Sequence, residues 1–326
     1  MLKSIAEVNQ MIAEGKALLL AGSEDALGQL AKGNWIGGTI PYFMGDDGGV
    51  CSQPEVFATE LPACASFVGV REYTLESLPK LCTDAPENGV SYLIIPAGSE
   101  VHAAYAAEAP EYEEFLSRPV VGWISGVHLS ELGKQSPKVF NGITGRTSSE
   151  VGIAMHVSLP DNKLAVLDIV NVFKQGTGDS ITFPSAGFAA SDCEVNGKPR
   201  NFAEYMTGTQ QDTQVPLTAD YNGSIVNVSV QSVDKNTGVV KLYAPVFPGV
   251  EYRFGAPVGD YLTALSQAVG TKKDIPAFSC NCILNYLYAG LEGKRTGTIT
   301  GPITFGEVAN QLLNQTIVQL FIRDLD

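Results

Sequence analysis

The fold is decided by residues 275–322, which read IPAFSCNCILNYLYAGLEGKRTGTITGPITFGEVANQLLNQTIVQLFI. The segment opens with an apolar run that ends in Cys280-Asn281-Cys282, and apolar residues at helical spacing follow it. A stretch rich in glycine and β-branched residues comes next, at 297–307. A short helical piece at 308–313 and a final strand at 316–322 complete the pattern. We therefore predict a strand, a helix, a glycine-containing strand and a last strand.

The same order of elements recurs twice upstream. The first copy spans residues 18–43 and carries Trp35 in its glycine-containing strand, and the second spans 91–131 and carries Trp123. Three copies indicate an internal repeat of roughly 45 residues, a length at which repeats are commonly found. Ordinary alternation of α and β elements is the other interpretation. If the copies are true repeats, their glycine strands should be central in the sheets, because both faces of these strands are apolar.

The middle of the chain has a different pattern of apolar and polar residues. Residues 225–231 alternate strictly between apolar and polar, which predicts a half-buried strand, and a turn composition follows at 234–238. This third of the chain therefore favours antiparallel sheet. We predict an α+β fold in which two sheet-containing halves, 1–160 and 161–326, are covered by helices.

Composition and charge exclude several functional classes. The chain has 326 residues and a net charge of -14, which argues against nucleic acids and anionic membrane surfaces as partners. No run approaches the roughly 18 apolar residues that a membrane helix needs, and no signal peptide is visible. The six cysteines have no regular spacing and are typical of reduced thiols. We therefore expect a cytoplasmic protein that does not contact membranes.

Catalytic motifs are missing from the sequence. It contains no Gly-x-Ser-x-Gly elbow, no Walker loop and no Gly-x-Gly-x-x-Gly fingerprint. The three histidines form no metal-binding pair, so we predict no metal site and assign no catalytic residue. Cys280 has two interpretations, a buried thiol that packs in the core and a nucleophile activated by a histidine.

A ligand pocket is predicted around the glycine-containing strands, because glycine in a strand often marks the close approach of a ligand. Trp123 would form a wall, and His128 could respond to a ligand's charge. Glu131 and Glu307 end two repeats, so pseudo-symmetry would make them counterparts. The alternatives are core packing for the tryptophan and purely structural roles for the histidine and the carboxylates. The predicted ligand-binding residues, placed between the two halves, are Trp123, His128, Glu131, Arg253, Cys280 and Glu307.

These residues carry a resemblance to a known family. Phe278-Ser279-Cys280, the segment 301–307 (GPITFGE) and Asn314-Gln315-Thr316 resemble the C-terminal half of FIST-type sensory domains, named for F-box and intracellular signal transduction. Residues 91–131 are similar to the N-terminal half, so 1–160 and 161–326 would be the FIST N-terminal-like and C-terminal-like halves. The family often has an arginine soon after the cysteine, whereas the next arginine in this chain is Arg295.

The resemblance implies a small-ligand-binding sensory protein that signals through a separate protein partner. Amino acids are the ligands proposed for the family, so the carboxylates would hold an ammonium group and Arg253 would hold a carboxylate. Some members bind haem, but we expect none here, because His102, His128 and His156 are the few axial candidates. Homo-oligomerisation is left open. The alternatives are a hydrolase or transferase that uses Cys280, and a self-assembling structural protein.

Overall fold

The computed structural model describes residues 1–221, 224–270 and 274–325. Strands hold 41% of the residues and helices 17%, which confirms the predicted α+β class. The chain divides into two compact units. Unit 1 comprises Met1–Val170, Val269–Leu312 and Thr316–Asp326, and unit 2 comprises Asn171–Ala268 and Leu313–Gln315. These units divide the chain at other positions than the predicted halves, since residues 161–326 contribute to both.

Unit 1 begins with two successive groups of elements. The first group is β1 (Leu2–Lys3), α1 (Ile5–Ala13), β2 (Leu18–Gly22), α2 (Glu24–Leu27), β3 (Trp35–Thr39), β4 (Tyr42–Gly45), β5 (Gly48–Cys51) and β6 (Val56–Glu60). The second group is β7 (Ser66–Tyr73), β8 (Gly89–Pro96), α3 (Glu100–Glu108), β9 (Val120–Ser125), β10 (Val139–Asn141), β11 (Arg146–Ser148) and β12 (Gly152–Ser158), with short 3-10 helices at Leu78–Lys80, Ala109–Glu111 and Leu129–Glu131.

The third group is interrupted by unit 2. It starts with β13 (Lys163–Val170). Unit 2 then supplies β14 (Ile181–Thr182), β15 (Gly187–Ala190), β16 (Asp192–Val195), β17 (Lys198–Asn201), α4 (Phe202–Gly208), β18 (Leu217–Tyr221), β19 (Ser224–Val228), β20 (Val230–Asp234), β21 (Val239–Val246), β22 (Arg253–Phe254) and α5 (Tyr261–Val269), whose last residue already counts with unit 1. The group ends with β23 (Phe278–Cys282), α6 (Ile283–Tyr288), β24 (Gly301–Thr304), β25 (Glu307–Ala309), β26 (Gln311–Leu313) and β27 (Ile317–Asp324).

Local sequence signals explain where the helices begin and end. Ser4 starts α1 with a capping box, in which its side chain accepts from the Glu7 amide and the Glu7 carboxylate accepts from the Ser4 amide. Ser99 caps α3 in the same way through the His102 amide. That helix ends before Pro110, which cannot donate a backbone hydrogen bond.

Each predicted repeat is a parallel β-α-β unit. The parallel pairs are β2 with β3, β8 with β9, and β23 with β24. Each pair forms the centre of its own six-stranded sheet, so the glycine-containing strands β3, β9 and β24 are interior strands, as the sequence predicts. In the described part of unit 1 the strand orders are β1-β6-β2-β3-β10-β11, β7-β12-β8-β9-β25-β26 and β13-β27-β23-β24-β4-β5.

The three sheets have one topology, and they exchange hairpins in a cycle. Each sheet starts with the first strand of its repeat, followed by the last strand of that repeat and then by the two parallel strands. A two-stranded hairpin completes the sheet. The hairpin always comes from a different repeat. β4–β5 of the first repeat joins β24, β10–β11 of the second joins β3, and β25–β26 of the third joins β9. Unit 1 is therefore made of three topologically equivalent repeats, none of which completes a sheet alone.

Unit 2 is an insertion into the third repeat. Its main segment, Asn171–Ala268, lies in the chain between β13 and β23, where the first repeat has α1 and the second has the 3-10 helix Leu78–Lys80. Its described strands form three three-stranded sheets with the orders β14-β16-β17, β15-β21-β20 and β19-β18-β22. The antiparallel character predicted for the middle of the chain holds for every strand pair described within this unit.

One local prediction is wrong. Residues 308–313 are not helical but belong to β25 and β26, and Asn310, with φ of +57°, lies at the turn between them. Val308 pairs with Gly122, and Ala309 pairs with Val121. The apolar spacing in this segment fits a short helix and a hairpin equally well, so the pairing with β9 decides the outcome.

Candidate functional site

The three repeats differ at the connection that follows the second parallel strand. Two residues, Ile40 and Pro41, link β3 to β4, and two residues, Phe305 and Gly306, link β24 to β25. The corresponding link from β9 to β10 is much longer and runs from residue 126 to 138. Long connections at the carboxyl ends of parallel strands commonly carry binding groups. The long connection of the second repeat is therefore the candidate position for a binding site.

The long connection encloses a small pocket against the first repeat, which we call the junction pocket. Its volume is about 110 Å³, and its walls include Thr39, Ile40 and Gly126 from the ends of β3 and β9. Its charged and titratable side chains are Glu24, Asp25, His128 and Glu131. Hydroxyl and amide groups come from Ser23, Gln53, Gln135 and Ser136. The predicted residues His128 and Glu131 are thus brought together on one surface.

His128 is held in a defined orientation at this pocket. Its ring stacks on Tyr42 with centroids 5.6 Å apart and planes 18° apart. The Ser130 amide donates to Nδ1 at 3.2 Å, so in the neutral ring the proton resides on Nε2. The Tyr42 hydroxyl in turn accepts from the Leu129 amide at 3.1 Å. His128 therefore presents a donor whose direction is fixed by its neighbours.

Glu131 lies on the 3-10 helix Leu129–Glu131 rather than at a strand end. It accepts from the Ser130 hydroxyl at 3.1 Å, and the Lys134 ammonium is 3.8 Å away on an exposed surface. Exposed pairs of this kind are weak and leave the carboxylate able to exchange partners. Glu307 is the first residue of β25, so the two carboxylates are not counterparts in the repeat, contrary to the sequence prediction.

A wider groove adjoins the junction pocket and shares Glu24 and Asp25 with it. We call it the α2 groove. It has a volume of about 950 Å³, and its wall also includes Lys138, Arg146 and Glu150. Lys138 pairs with Glu24, and Arg146 pairs with Glu72 at 2.9 Å. Carboxylates and cations therefore face the same continuous surface.

Sequence reasoning missed the residues that the first repeat contributes to this surface. Ser23 caps α2 by accepting from the Ala26 amide at 3.1 Å, which places Glu24 and Asp25 just beyond the carboxyl end of β2. That cap signal, directly after a buried strand, could have identified them. Arg146 carries no comparable signal, because its position depends on the hairpin β10–β11 pairing with β3.

Three other predicted residues meet in the core of unit 1. Trp123, Cys280 and Glu307 are at most 1% exposed, and none of them lines the junction pocket or the α2 groove. Trp123 is directly opposite Glu307 in register and stacks on Phe278 at 5.8 Å. The Cys280 thiol donates to the Gly122 carbonyl at 3.3 Å.

Burial controls the protonation of this core cluster. Burial raises the pKa of Cys280 well above its ordinary value, and the Glu307 carboxyl adds to the shift. Burial also raises the pKa of Glu307 from 4.5 to about 8, against the hydrogen bonds that Thr316 donates to Oε2. Near neutral pH both groups therefore carry their protons, and Cys280 has little thiolate character.

Arg253, the last predicted residue, belongs to unit 2. Its guanidinium pairs with Glu251 at 2.8 Å and also donates to the Gly178 carbonyl. Its assignment to the ligand site stays a prediction, whereas Arg146 and Lys138 supply cations on the surface of unit 1 described above.

Neither a metal site nor a membrane-spanning helix is found among the described residues. Over 1–221, 224–270 and 274–325, no three His, Cys, Asp or Glu side chains are grouped as a metal ion would require. In the same part of the chain, no helix is both long and apolar enough to cross a membrane.

Comparison with known proteins places the chain in a family. The model of DUF6976, described as a family of unknown function, matches residues 3–323. No curated protein and no solved structure matches the chain. The chain therefore belongs to the DUF6976 family, and the match covers both compact units.

Proposed function

We propose that this DUF6976 member binds a small amino-acid-like ligand in the junction pocket and the adjoining α2 groove. In this proposal the protein works in the cytoplasm and reports occupancy of the site to a separate signalling protein. The observation that carries the proposal is the single long connection, which adds His128 and Glu131 to a surface that already bears Glu24 and Asp25. Ligand sites favour concave junctions with a few convergent polar groups.

Complementary charge supports an amino-acid-like ligand. Asp25 and Glu131 in the junction pocket offer carboxylates to an ammonium group, while Lys138 and Arg146 in the α2 groove would exchange their partners Glu24 and Glu72 for a ligand's carboxylate. Asp25 is exposed, and no side-chain ion pair involves it in the described structure. Arginine can hold a carboxylate through two parallel hydrogen bonds, which gives direction as well as attraction.

The sensory role rests on the resemblance to FIST-type domains. The proposed ligand residues differ from those predicted from the sequence. Glu24, Asp25, Lys138 and Arg146 take the place of the buried residues Trp123, Cys280 and Glu307. Catalysis through Cys280 receives no support from the geometry, because a nucleophilic thiol needs access and thiolate character. Cys280 has no exposed surface, and burial raises its pKa.

The proposal can be tested by calorimetric titration of the purified protein with the common amino acids and their decarboxylated amines. We expect one or a few amino acids to bind. Asp25→Asn, Glu131→Gln and Arg146→Gln should each weaken that binding about tenfold, the usual effect of losing one charge-assisted hydrogen bond. The amine that lacks the carboxylate should bind wild-type protein weakly and should be insensitive to Arg146→Gln.

Glu76→Gln provides a matched control, since Glu76 is an exposed carboxylate outside both the pocket and the groove. The proposal fails if no amino acid binds, or if the three site variants bind like the control. Iodoacetamide labelling of the native protein tests the catalytic alternative, and rapid modification of Cys280 would revive it.

A further inference from the structure

Unit 2 contains a groove of its own, separate from the site proposed above. The groove lies between the hairpin β16–β17 and helix α4 and has a volume of about 540 Å³. Lys198 and Arg200 from β17 line it, and Glu204 and Tyr205 line it from α4. All of its lining residues belong to unit 2.

The two cations are exposed and share one side of the hairpin with two buried residues. Lys198 is directly opposite Val195, and Arg200 is directly opposite Cys193. Residues that face each other across two strands share a side of the sheet. Val195 and Cys193 are 8% and 3% exposed, whereas Lys198 and Arg200 are themselves exposed. The acidic residues Asp192 and Glu194 of β16 are exposed.

Neither cation forms an ion pair with a described neighbour. In the described part of unit 2, no side-chain hydrogen bond or ion pair involves the Lys198 ammonium or the Arg200 guanidinium. The groove also contains the carboxylates of Asp179 and Glu204, and Asp179 already accepts from the Tyr205 hydroxyl at 3.0 Å and from the Asn196 side-chain amide at 2.7 Å. Two like charges two residues apart on one strand repel, and a bound anion would remove that cost.

We propose that this groove is a second ligand site, which binds the phosphate or carboxylate group of a small molecule between Lys198 and Arg200. Arginine and lysine together form a common cradle for such oxyanions. The Tyr205 ring offers a wall for the rest of the ligand, and Glu204 offers an acceptor for its hydroxyl or amino groups. The two cations of the groove balance its two carboxylates, Asp179 and Glu204, whereas the whole chain has a net charge of -14.

The test is a nuclear magnetic resonance titration of the full-length protein with inorganic phosphate at constant ionic strength. We expect saturable shifts of the backbone amides around residues 195–209. Lys198→Gln and Arg200→Gln should each raise the phosphate dissociation constant about tenfold. Lys235→Gln is the matched control, because Lys235 is an exposed lysine of unit 2 outside the groove, and it should leave the constant unchanged.

A parallel titration with citrate distinguishes the two oxyanions, since the tighter probe identifies the preferred group. Arg146→Gln in unit 1 should leave both titrations unchanged, which separates this proposal from the amino-acid site. Equal dissociation constants for the groove variants and the control would overturn the proposal. The same conclusion would follow from shifts that do not saturate or that occur outside the groove.

Discussion

Glu307 combines complete burial with an incomplete set of hydrogen bonds. Its Oε2 accepts from the Thr316 amide at 3.2 Å and from the Thr316 hydroxyl at 2.7 Å. Its Oε1 has no hydrogen-bond partner among the described residues. An ionised carboxylate in such surroundings is costly, so the neutral acid is the stable form in the folded protein. Two thiols interact electrostatically with this carboxyl group: Glu307 raises the pKa of Cys280, and Cys282 lowers the pKa of Glu307.

We predict that Glu307 makes the folded protein less stable as the pH rises. Its folded pKa of about 8 lies above its ordinary value of 4.5. The stability that it contributes is therefore fully present below pH 4.5 and is lost as the pH rises toward 8. Glu307→Gln should remove this loss. The free energy of unfolding of the variant minus that of wild type should therefore increase with pH, by up to about 1.4 kcal/mol per pH unit.

The measurement is chemical denaturation of both proteins at several pH values from 4.5 to 8.5. Comparison with the variant is essential, because burial lowers the pKa of His102 and His156 to about 4 and these histidines change stability in the opposite sense. Their effect is common to both proteins and cancels in the difference. A difference that stays constant with pH would show that Glu307 titrates normally.

At the scale of elements, the hairpin exchange links the repeats into one cooperative structure. The hairpin β10–β11 of the second repeat pairs with β3 of the first through Phe140 and Gly37. Unfolding the second repeat would therefore remove β10 from its pairing with β3 and expose the hydrogen-bonding edge of β3. The same holds around the cycle of three repeats.

We predict that the first and second repeats unfold together. The chain has two tryptophans, and they fall in equivalent strands, Trp35 in β3 and Trp123 in β9. Labelling with 5-fluorotryptophan should give two native fluorine resonances, which Trp35→Phe and Trp123→Phe would assign. Both resonances should lose intensity at the same guanidinium concentration, as two-state unfolding of a shared structure requires. Separate midpoints would mean that the repeats are independently stable.

At the scale of the whole molecule, unit 2 occupies a position that the other repeats fill with a short connection. Residues 4–17 join β1 to β2, and residues 74–88 join β7 to β8. A link of about 15 residues is thus enough to join the outer strand of a repeat to its first parallel strand, and long insertions at such surface connections are well tolerated.

We predict that unit 1 keeps its fold when Asn171–Ala268 is replaced by a flexible linker of about 15 residues. The native tryptophan emission and the binding of the amino-acid ligand should be retained. The thermal midpoint should fall, because Asn314 is 1% exposed and would lose the hydrogen bonds that join it to Asn227 and Ser229. A shortened chain that does not fold would show that unit 1 depends on the insertion.

The sequence alone determined the parts of this protein that are encoded locally. The periodicity around Leu18, Ser91 and Phe278 predicted three strand-helix-strand units, and the apolar glycine strands were correctly expected in the interior of the sheets. His128 and Glu131 were predicted as ligand residues, and both line the junction pocket, although their role stays a prediction. These features depend on residues within a few dozen positions of one another, where spacing and composition carry the information.

Tertiary structure alone decided which elements become neighbours. The exchanged hairpins, the burial of Cys280 and Glu307, and the approach of Arg146 to the surface that holds Asp25 all arise from pairing between distant segments. One apolar pattern fitted both a helix and a hairpin at 308–313, and contact with β9 selected the hairpin. Such pairings depend on the combined burial and hydrogen bonding of several repeats, a property that no single stretch of sequence contains.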